Sequence, residues 1–144
     1  MTIVAAVDRS ERGDEIVAEA AELAEAFGEE LHVLHVLSQS EFVDLERTSV
    51  EDTGKAIDMD DIRGIAREIA EESAEGVTDD FEAIGLVGDA ADEIVRYSSD
   101  EEARYIVISG RRRSPVGKAL FGSVTQSVLL DADRPVVTTI QPED

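Results

Sequence analysis

Glycines, hydroxyls and cations are concentrated in the segment "SGRRRSPVGKALFGSVT" (residues 109–125) of a chain that is otherwise rich in acids. No Asp or Glu occurs in residues 103–130, although 34 of the 144 residues are Asp or Glu. A phosphate is repelled by nearby carboxylates, whereas Arg side chains, hydroxyl groups and backbone N–H groups hold it. The segment therefore predicts an anion site, in which Gly122 admits the anion to the backbone and Ser123 and Thr125 add hydroxyl donors.

Alternative roles stay open for these residues. Ser123 can instead cap the helix that follows, with the Arg side chains merely solvated. Asp8, at the end of the first predicted strand, can hold a cation beside bound phosphates, because hard cations prefer oxygen ligands. It can equally hydrogen bond within the turn before the first helix.

Apolar runs alternate with helical periodicity along the chain and determine where these residues lie. Residues 38–57 show no clear period and are predicted to form a long loop, either functional or partly mobile. The alternation predicts one α/β domain over residues 1–144, an open five-stranded parallel sheet with helices on both faces. Strands are predicted at 2–7, 30–37, 81–87, 103–109 and 135–140, and helices at roughly 10–27, 58–75, 89–97 and 122–131.

Ligands of open parallel sheets bind beyond the carboxyl ends of the strands. Two such ends carry polar or small residues suited to binding, Val7–Asp8 and Ser109–Gly110. The second lies within the acid-free segment. The sequence therefore predicts a binding site between the first and fourth strands.

The composition excludes several classes of function. The formal net charge is -21, so we expect no nucleic-acid partner, because the protein's field repels phosphate polymers. The chain has no Cys, which excludes disulfides and cysteine nucleophiles. No apolar run approaches the roughly 18 residues of a membrane span, and the N-terminus lacks the basic region of a signal peptide. We therefore expect no membrane association and a cytoplasmic location.

The acidity has its own interpretation. Acids outnumber Lys and Arg by 34 to 13, an imbalance that resembles proteins of salt-loving archaea. At about 1 M salt the Debye length is roughly 3 Å, so this charge is largely screened. We interpret the acidity as adaptation to a salty cytoplasm, and a halophilic source is expected.

Three segments resemble the universal stress protein family. That family opens with a strand ending in a V-D-x-S type turn and carries G-x-x-G, nine residues and G-[ST] after its fourth strand. This chain has "AAVDRSE" at 5–11, "LHV" at 34–36 and "LFGSVT" at 120–125. The resemblance covers essentially the whole chain and implies an adenine nucleotide alpha hydrolase-like sheet in the strand order 3-2-1-4-5.

The resemblance also implies a function and site residues. One branch of the family binds ATP and another binds no nucleotide, and members are usually dimeric. In the binding branch Asp8 matches the residue that contacts the nucleoside. Other matching positions line the base and ribose pocket or meet the phosphates: Ala6, Val36, Ile108, Gly122, Ser123, Val124 and Thr125.

Two family glycines are replaced. Counting back nine residues from Gly122 places Arg112 at the second glycine position and Ser109 at the first. A Cβ at both narrows the space for a ribose triphosphate. Arg112 either blocks this space or supplies charge to the phosphates, and both alternatives stay open.

The sequence predicts a small universal-stress-type regulatory protein that binds ATP or a related adenine nucleotide, with Mg²⁺ as an accompanying ion. The alternative is a dimeric stress-response interaction module of the same fold that binds no nucleotide. No P-loop or Ser/His/Asp set is found, so we expect at most weak ATP hydrolysis. His32 and His35 point to opposite faces of a strand and are expected to be structural, with no metal assigned. The homodimer is expected to form through strand 136–140, an apolar edge with little charge.

Overall fold

The computed structural model describes residues 1–8, 13–54, 58–110 and 121–140. Strands and helices alternate, except that two helices occur in succession between the second and third strands. The elements are β1 (Thr2–Ala6), α1 (Gly13–Phe27), β2 (Glu30–Leu37), α2 (Gln39–Thr53), α3 (Met59–Ala74), β3 (Glu82–Val87), α4 (Ala90–Asp100), β4 (Ala103–Ser109), α5 (Ser123–Asp131) and β5 (Val136–Thr139).

The five strands form one parallel sheet in the order β3-β2-β1-β4-β5. This confirms the predicted fold class and strand order. Alternate residues of β1 enter two cores, because successive side chains of a strand point to opposite faces. Ile3 and Ala5 pack with α1 and α3, whereas Val4 and Ala6 pack with α4 and α5. Burial on both faces explains why β1, β2 and β4 are recognisable as nearly continuous apolar runs.

The prediction of a loop over 38–57 is wrong, because α2 occupies most of that segment. Ser38 accepts a hydrogen bond from the Glu41 backbone N–H, and the Glu41 carboxylate accepts one from the Ser38 backbone N–H. Gly54 ends the helix at a φ of 72°. No residue of α2 is fully buried; Phe42 and Leu45 only partly cover Leu37 and its neighbours. The helix therefore has defined ends but lacks the regular apolar stripe from which helices are predicted.

Other predicted ends agree more closely. Gly28 follows α1 with a φ of 66°, and Asp89 caps α4 by accepting from the Asp92 N–H at 3.0 Å. The proposed cap Ser10 lies outside the described residues. None of the helices in the described ranges is long and apolar enough to span a bilayer.

A pair of glycines tests how closely α3 lies on β3. A Cβ at Gly85 would press on the Arg63 carbonyl and lie 2.5 Å from the Arg67 backbone nitrogen, whereas a Cβ at Gly64 would have no atom within 4 Å. We expect Gly85→Ala to lower the free energy of unfolding by about 1–3 kcal/mol, because backbone atoms must move. Gly64→Ala should raise it by about 0.5–1 kcal/mol, since Ala favours the helix. Denaturant unfolding measures both, and equal effects would contradict this packing.

Candidate functional site

A cleft of about 400 Å³ opens at the carboxyl edge of the sheet. Strand β1 lies between β2 and β4, and the carboxyl ends of all three strands reach the cleft together with α5. The lining is apolar on the strands and polar at the strand ends. The lining residues are Ala6, Val7, Asp8, Ile16, Leu34, His35, Val36, Glu41, Ala90, Ile94, Ile108, Ser109, Gly122, Ser123, Val124 and Thr125.

The cleft brings together every predicted site residue that the structure describes. Arg112 belongs to residues 111–120, outside the described ranges. The apolar wall includes Ala6 and Ile108, which are partners in the β1–β4 register. The predicted residues along the lining are Ala6, Val7, Asp8, Val36, Ile108, Ser109, Gly122, Ser123, Val124 and Thr125.

The start of α5 forms one side of the cleft. Its N-cap is Gly122, which makes no side-chain capping hydrogen bond, so among the described residues no side chain caps the N–H groups of the first turn. The first turn contains no acid, whereas α1, α2, α3 and α4 all have acids there. These N–H groups and the helix dipole both favour an anion at this position.

The glycine at the cap is not required by its backbone conformation. Gly122 has φ -72° and ψ 167°, an extended conformation that every residue adopts. A side chain would therefore be tolerated by the local backbone. Gly122 lines the cleft at the first turn of α5, and a residue without a side chain at this position lets an anion approach the backbone.

The hydroxyl of Thr125 has a different role from the predicted one. It donates a hydrogen bond to the Ser109 carbonyl at 2.8 Å, and Thr125 is buried. The hydroxyl hydrogen is thus used to fix α5 to the end of β4, and it is not available to a phosphate. Ser123 is exposed at the mouth of the cleft, where its hydroxyl can meet a ligand.

Six lining residues were not predicted: Ile16, Leu34, His35, Glu41, Ala90 and Ile94. Glu41 enters the lining because α2 exists, and the Ser38–Glu41 spacing is a recognisable capping signal. His35 is buried, and its Nδ1 donates to the Val7 carbonyl at 2.8 Å. Its Nε2 has no hydrogen-bond partner among the described residues. No sequence signal joins His35 to Val7, because the bond depends on the β1–β2 packing.

The arrangement suits binding more than covalent chemistry. Ser109 donates its hydroxyl to the Gly110 carbonyl at 3.0 Å, and His35 bonds no hydroxyl within the described part of the cleft. A nucleophile needs a base within hydrogen-bond reach. The cleft supplies instead an apolar wall, a carboxylate at Asp8 and an uncapped helix start.

Comparison with protein families gives a match to the universal stress protein family over residues 1–139. A universal stress protein of Mycolicibacterium smegmatis is 43% identical over 58 residues, which are 40% of this chain and 45% of the relative. The alignment thus spans less than half of that curated relative.

Solved structures are similar over nearly the full length. A universal stress protein from Archaeoglobus fulgidus has 32% identity and a TM-score of 0.62, covering 96% of this chain and 97% of that one. A universal stress protein from the same organism, solved in complex with dAMP, has 26% identity and a TM-score of 0.59, covering 96% of each chain.

Proposed function

The chain belongs to the universal stress protein family, and we propose that it binds an adenine nucleotide in the cleft between the carboxyl ends of β1 and β4. The observation that carries the proposal is the start of α5, which opens onto the cleft and has no acid in its first turn. Its N-cap residue is Gly122, although the backbone conformation there is one that any residue can adopt. The similar Archaeoglobus protein solved with dAMP supports an adenine nucleotide as the ligand. The cleft volume of about 400 Å³ lies within the range of small-ligand sites.

The lining residues divide by chemistry. Ala6, Val36 and Ile108 offer apolar surface for a base, and the exposed Asp8 carboxylate offers an acceptor for ribose hydroxyls. The first turn of α5 offers N–H donors to phosphate oxygens. We propose ATP as the nucleotide, because the acid-free segment adds four cations (Arg111, Arg112, Arg113 and Lys118) just before α5. Mg²⁺ would accompany the phosphates, bound mainly by phosphate oxygens and water.

The test is mass spectrometry of small molecules released from the purified protein, kept in concentrated salt throughout. We expect an adenine nucleotide at a fraction of the protein concentration, or saturable binding when ATP is added. A protein that releases no nucleotide and takes up neither ATP nor AMP would favour the alternative, a dimeric interaction module of the same fold. The side chains of Ser109 and Arg112, at positions where the family carries glycine, are what favour that alternative.

The Arg112→Gly variant tests how the acid-free segment contributes to ATP binding. We expect the variant to bind ATP more weakly by about 1.5–3 kcal/mol, the range for a hydrogen bond to a charged group. AMP should be affected less, since it has fewer phosphates. Calorimetry measures both affinities. Tighter ATP binding by the variant would mean that the Arg112 side chain blocks the cleft.

We further propose a homodimer formed through β5, the strand at one edge of the sheet. The backbone carbonyls of Pro135 and Thr139 accept hydrogen bonds from the N–H groups of Ile106, in β4, and Gly110, just after it. Polar backbone groups alternate in direction along a strand. Val136 and Thr138 therefore direct their backbone groups away from β4, to the open edge where a second copy can pair.

The Thr138→Pro variant is expected to dissociate this dimer, because proline removes an N–H donor from the open edge. Val137→Pro is the matched control: it removes a donor directed at β4 and should lower the stability of each subunit. Light scattering at high salt reports the mass, and thermal unfolding reports the stability. A wild type that is monomeric at micromolar concentration, or a Thr138→Pro variant that stays dimeric, would contradict the proposal.

A further inference from the structure

Three side chains with metal-binding atoms meet at the amino ends of β2 and β3. Glu30 and His32 share one face of β2, because alternate residues of a strand point the same way. His32 is paired with Glu82 in the β2–β3 register, so Glu82 lies beside it on that face. The sheet therefore gathers two carboxylates and one imidazole at the edge opposite the nucleotide cleft.

The distances between these groups are short. The Nε2 of His32 lies 3.4 Å from the Glu30 Oε2 and 3.3 Å from the Glu82 Oε2. One potential ligand atom from each residue lies within 4.8 Å of the others. His32 is buried, whereas the side chains of Glu30 and Glu82 are 80% and 65% exposed. The imidazole is thus fixed, and both carboxylates can adjust around an ion.

The second ring nitrogen of His32 is held in place. Its Nδ1 lies 2.6 Å from the Tyr97 hydroxyl. When Nε2 binds a metal, the ring proton is on Nδ1 and is donated to the phenol oxygen, and the Nε2 lone pair faces the space between the two carboxylates. A hydrogen-bonded outer nitrogen of this kind orients the histidines that bind metals.

We propose that Glu30, His32 and Glu82 form a Zn²⁺ site. Ligand atoms about 2.0–2.1 Å from a tetrahedral ion lie about 3.4 Å apart, which agrees with the two distances from the imidazole nitrogen. One imidazole and two carboxylates are ligands that Zn²⁺ accepts, and three protein ligands leave a fourth position for water. Ca²⁺ fits less well, since it takes 6–8 oxygen ligands.

The surroundings of the site favour a cation. A depression of about 950 Å³ borders it, and its lining includes both carboxylates and His32. Acidic side chains that share this depression concentrate cations near it, because charges of one sign along a concave surface focus the field. They are Glu22, Glu25 and Asp80. The site is independent of the proposed nucleotide cleft, so either can fail without the other.

The experiment uses the two histidines of the chain as separate reporters. The chelator-treated full-length protein, labelled with ¹⁵N at histidine, is titrated with Zn²⁺ in about 1 M potassium nitrate, which screens diffuse binding to the acidic surface. We expect the Nε2 signal of His32 to shift saturably at one Zn²⁺ per chain. The signals of His35, in the nucleotide cleft, should stay in place.

Matched variants assign the ligands. Glu30→Gln and Glu82→Gln should each weaken Zn²⁺ binding at least about tenfold, whereas Glu68→Gln, on the exposed side of α3, should leave it unchanged. Tyr97→Phe should weaken it about tenfold and Tyr105→Phe should not. The proposal is overturned if the His32 signals do not move with Zn²⁺, or if both carboxylate variants bind Zn²⁺ as tightly as the wild type. Either result would leave the cluster as one imidazole in polar contact with two carboxylates.

Discussion

The Gly122→Val variant is expected to lose nucleotide binding while it keeps its fold. The branched side chain would occupy the space beside the first turn of α5, through which a phosphate reaches the backbone N–H groups. We expect the affinity for ATP to fall at least about 100-fold, or about 2.8 kcal/mol. Since φ at this position is -72°, valine causes no backbone strain, and only a modest loss of about 1 kcal/mol in helix capping is expected.

Isothermal titration calorimetry measures the affinity, and thermal unfolding confirms that the variant is folded. The control is Gly64→Val, which adds the same side chain on α3 where a Cβ has no neighbour within 4 Å. This control should bind ATP as the wild type does. An unchanged ATP affinity in a folded Gly122→Val protein would remove the start of α5 from the binding site.

Stability is expected to increase steeply with salt. Acids exceed Lys and Arg by 34 to 13, so most carboxylates have no cationic partner and repel one another across the surface. Several arginines do pair locally, as Arg67 does with Glu71 at 3.6 Å, but exposed pairs add little stability. From 0.1 to 3 M KCl we expect Tm to rise by about 10 °C or more, corresponding to a few kcal/mol for a domain of this size.

A variant with fewer acids tests whether charge is the cause. Glu68, Glu72 and Glu75 are exposed on or just after α3, and replacing all three by Gln should raise Tm in dilute buffer and flatten the salt dependence. Differential scanning calorimetry follows both proteins. A Tm of the wild type that stays flat over this salt range would refute halophilic adaptation as the origin of the acidity.

The fold could be predicted largely because buried strands and helices have recognisable apolar patterns in the sequence. Strand β4, "ARYIVIS", is buried on both faces and is predicted with its observed bounds. Helix α2 buries no residue fully, so its apolar pattern is weak. Only the Ser38–Glu41 capping pair marked its start. Periodicity therefore predicts elements that build the core and misses those that only cover its edge.

The candidate site could be predicted where it lies at strand ends, since a parallel sheet brings those ends together. Contacts between segments that are distant in sequence could not be predicted. The bond from His35 to the Val7 carbonyl, and the approach of Glu82 to His32, depend on strand packing and register that no local pattern encodes. The direction of backbone groups along β5 likewise follows from its pairing with β4, which is why Thr138 and not Val137 tests the open edge.

The most direct measurement for the nucleotide cleft is a titration of the ¹⁵N-histidine-labelled protein with ATP in about 2 M KCl, which screens the repulsion between ATP and the acidic surface. His35 lines the cleft and His32 lies at the opposite edge of the sheet. The account predicts a saturable shift of the His35 signals at one nucleotide per chain, with the His32 signals unchanged. Signals of His35 that stay fixed at millimolar ATP, AMP and dAMP would contradict an adenine nucleotide in this cleft.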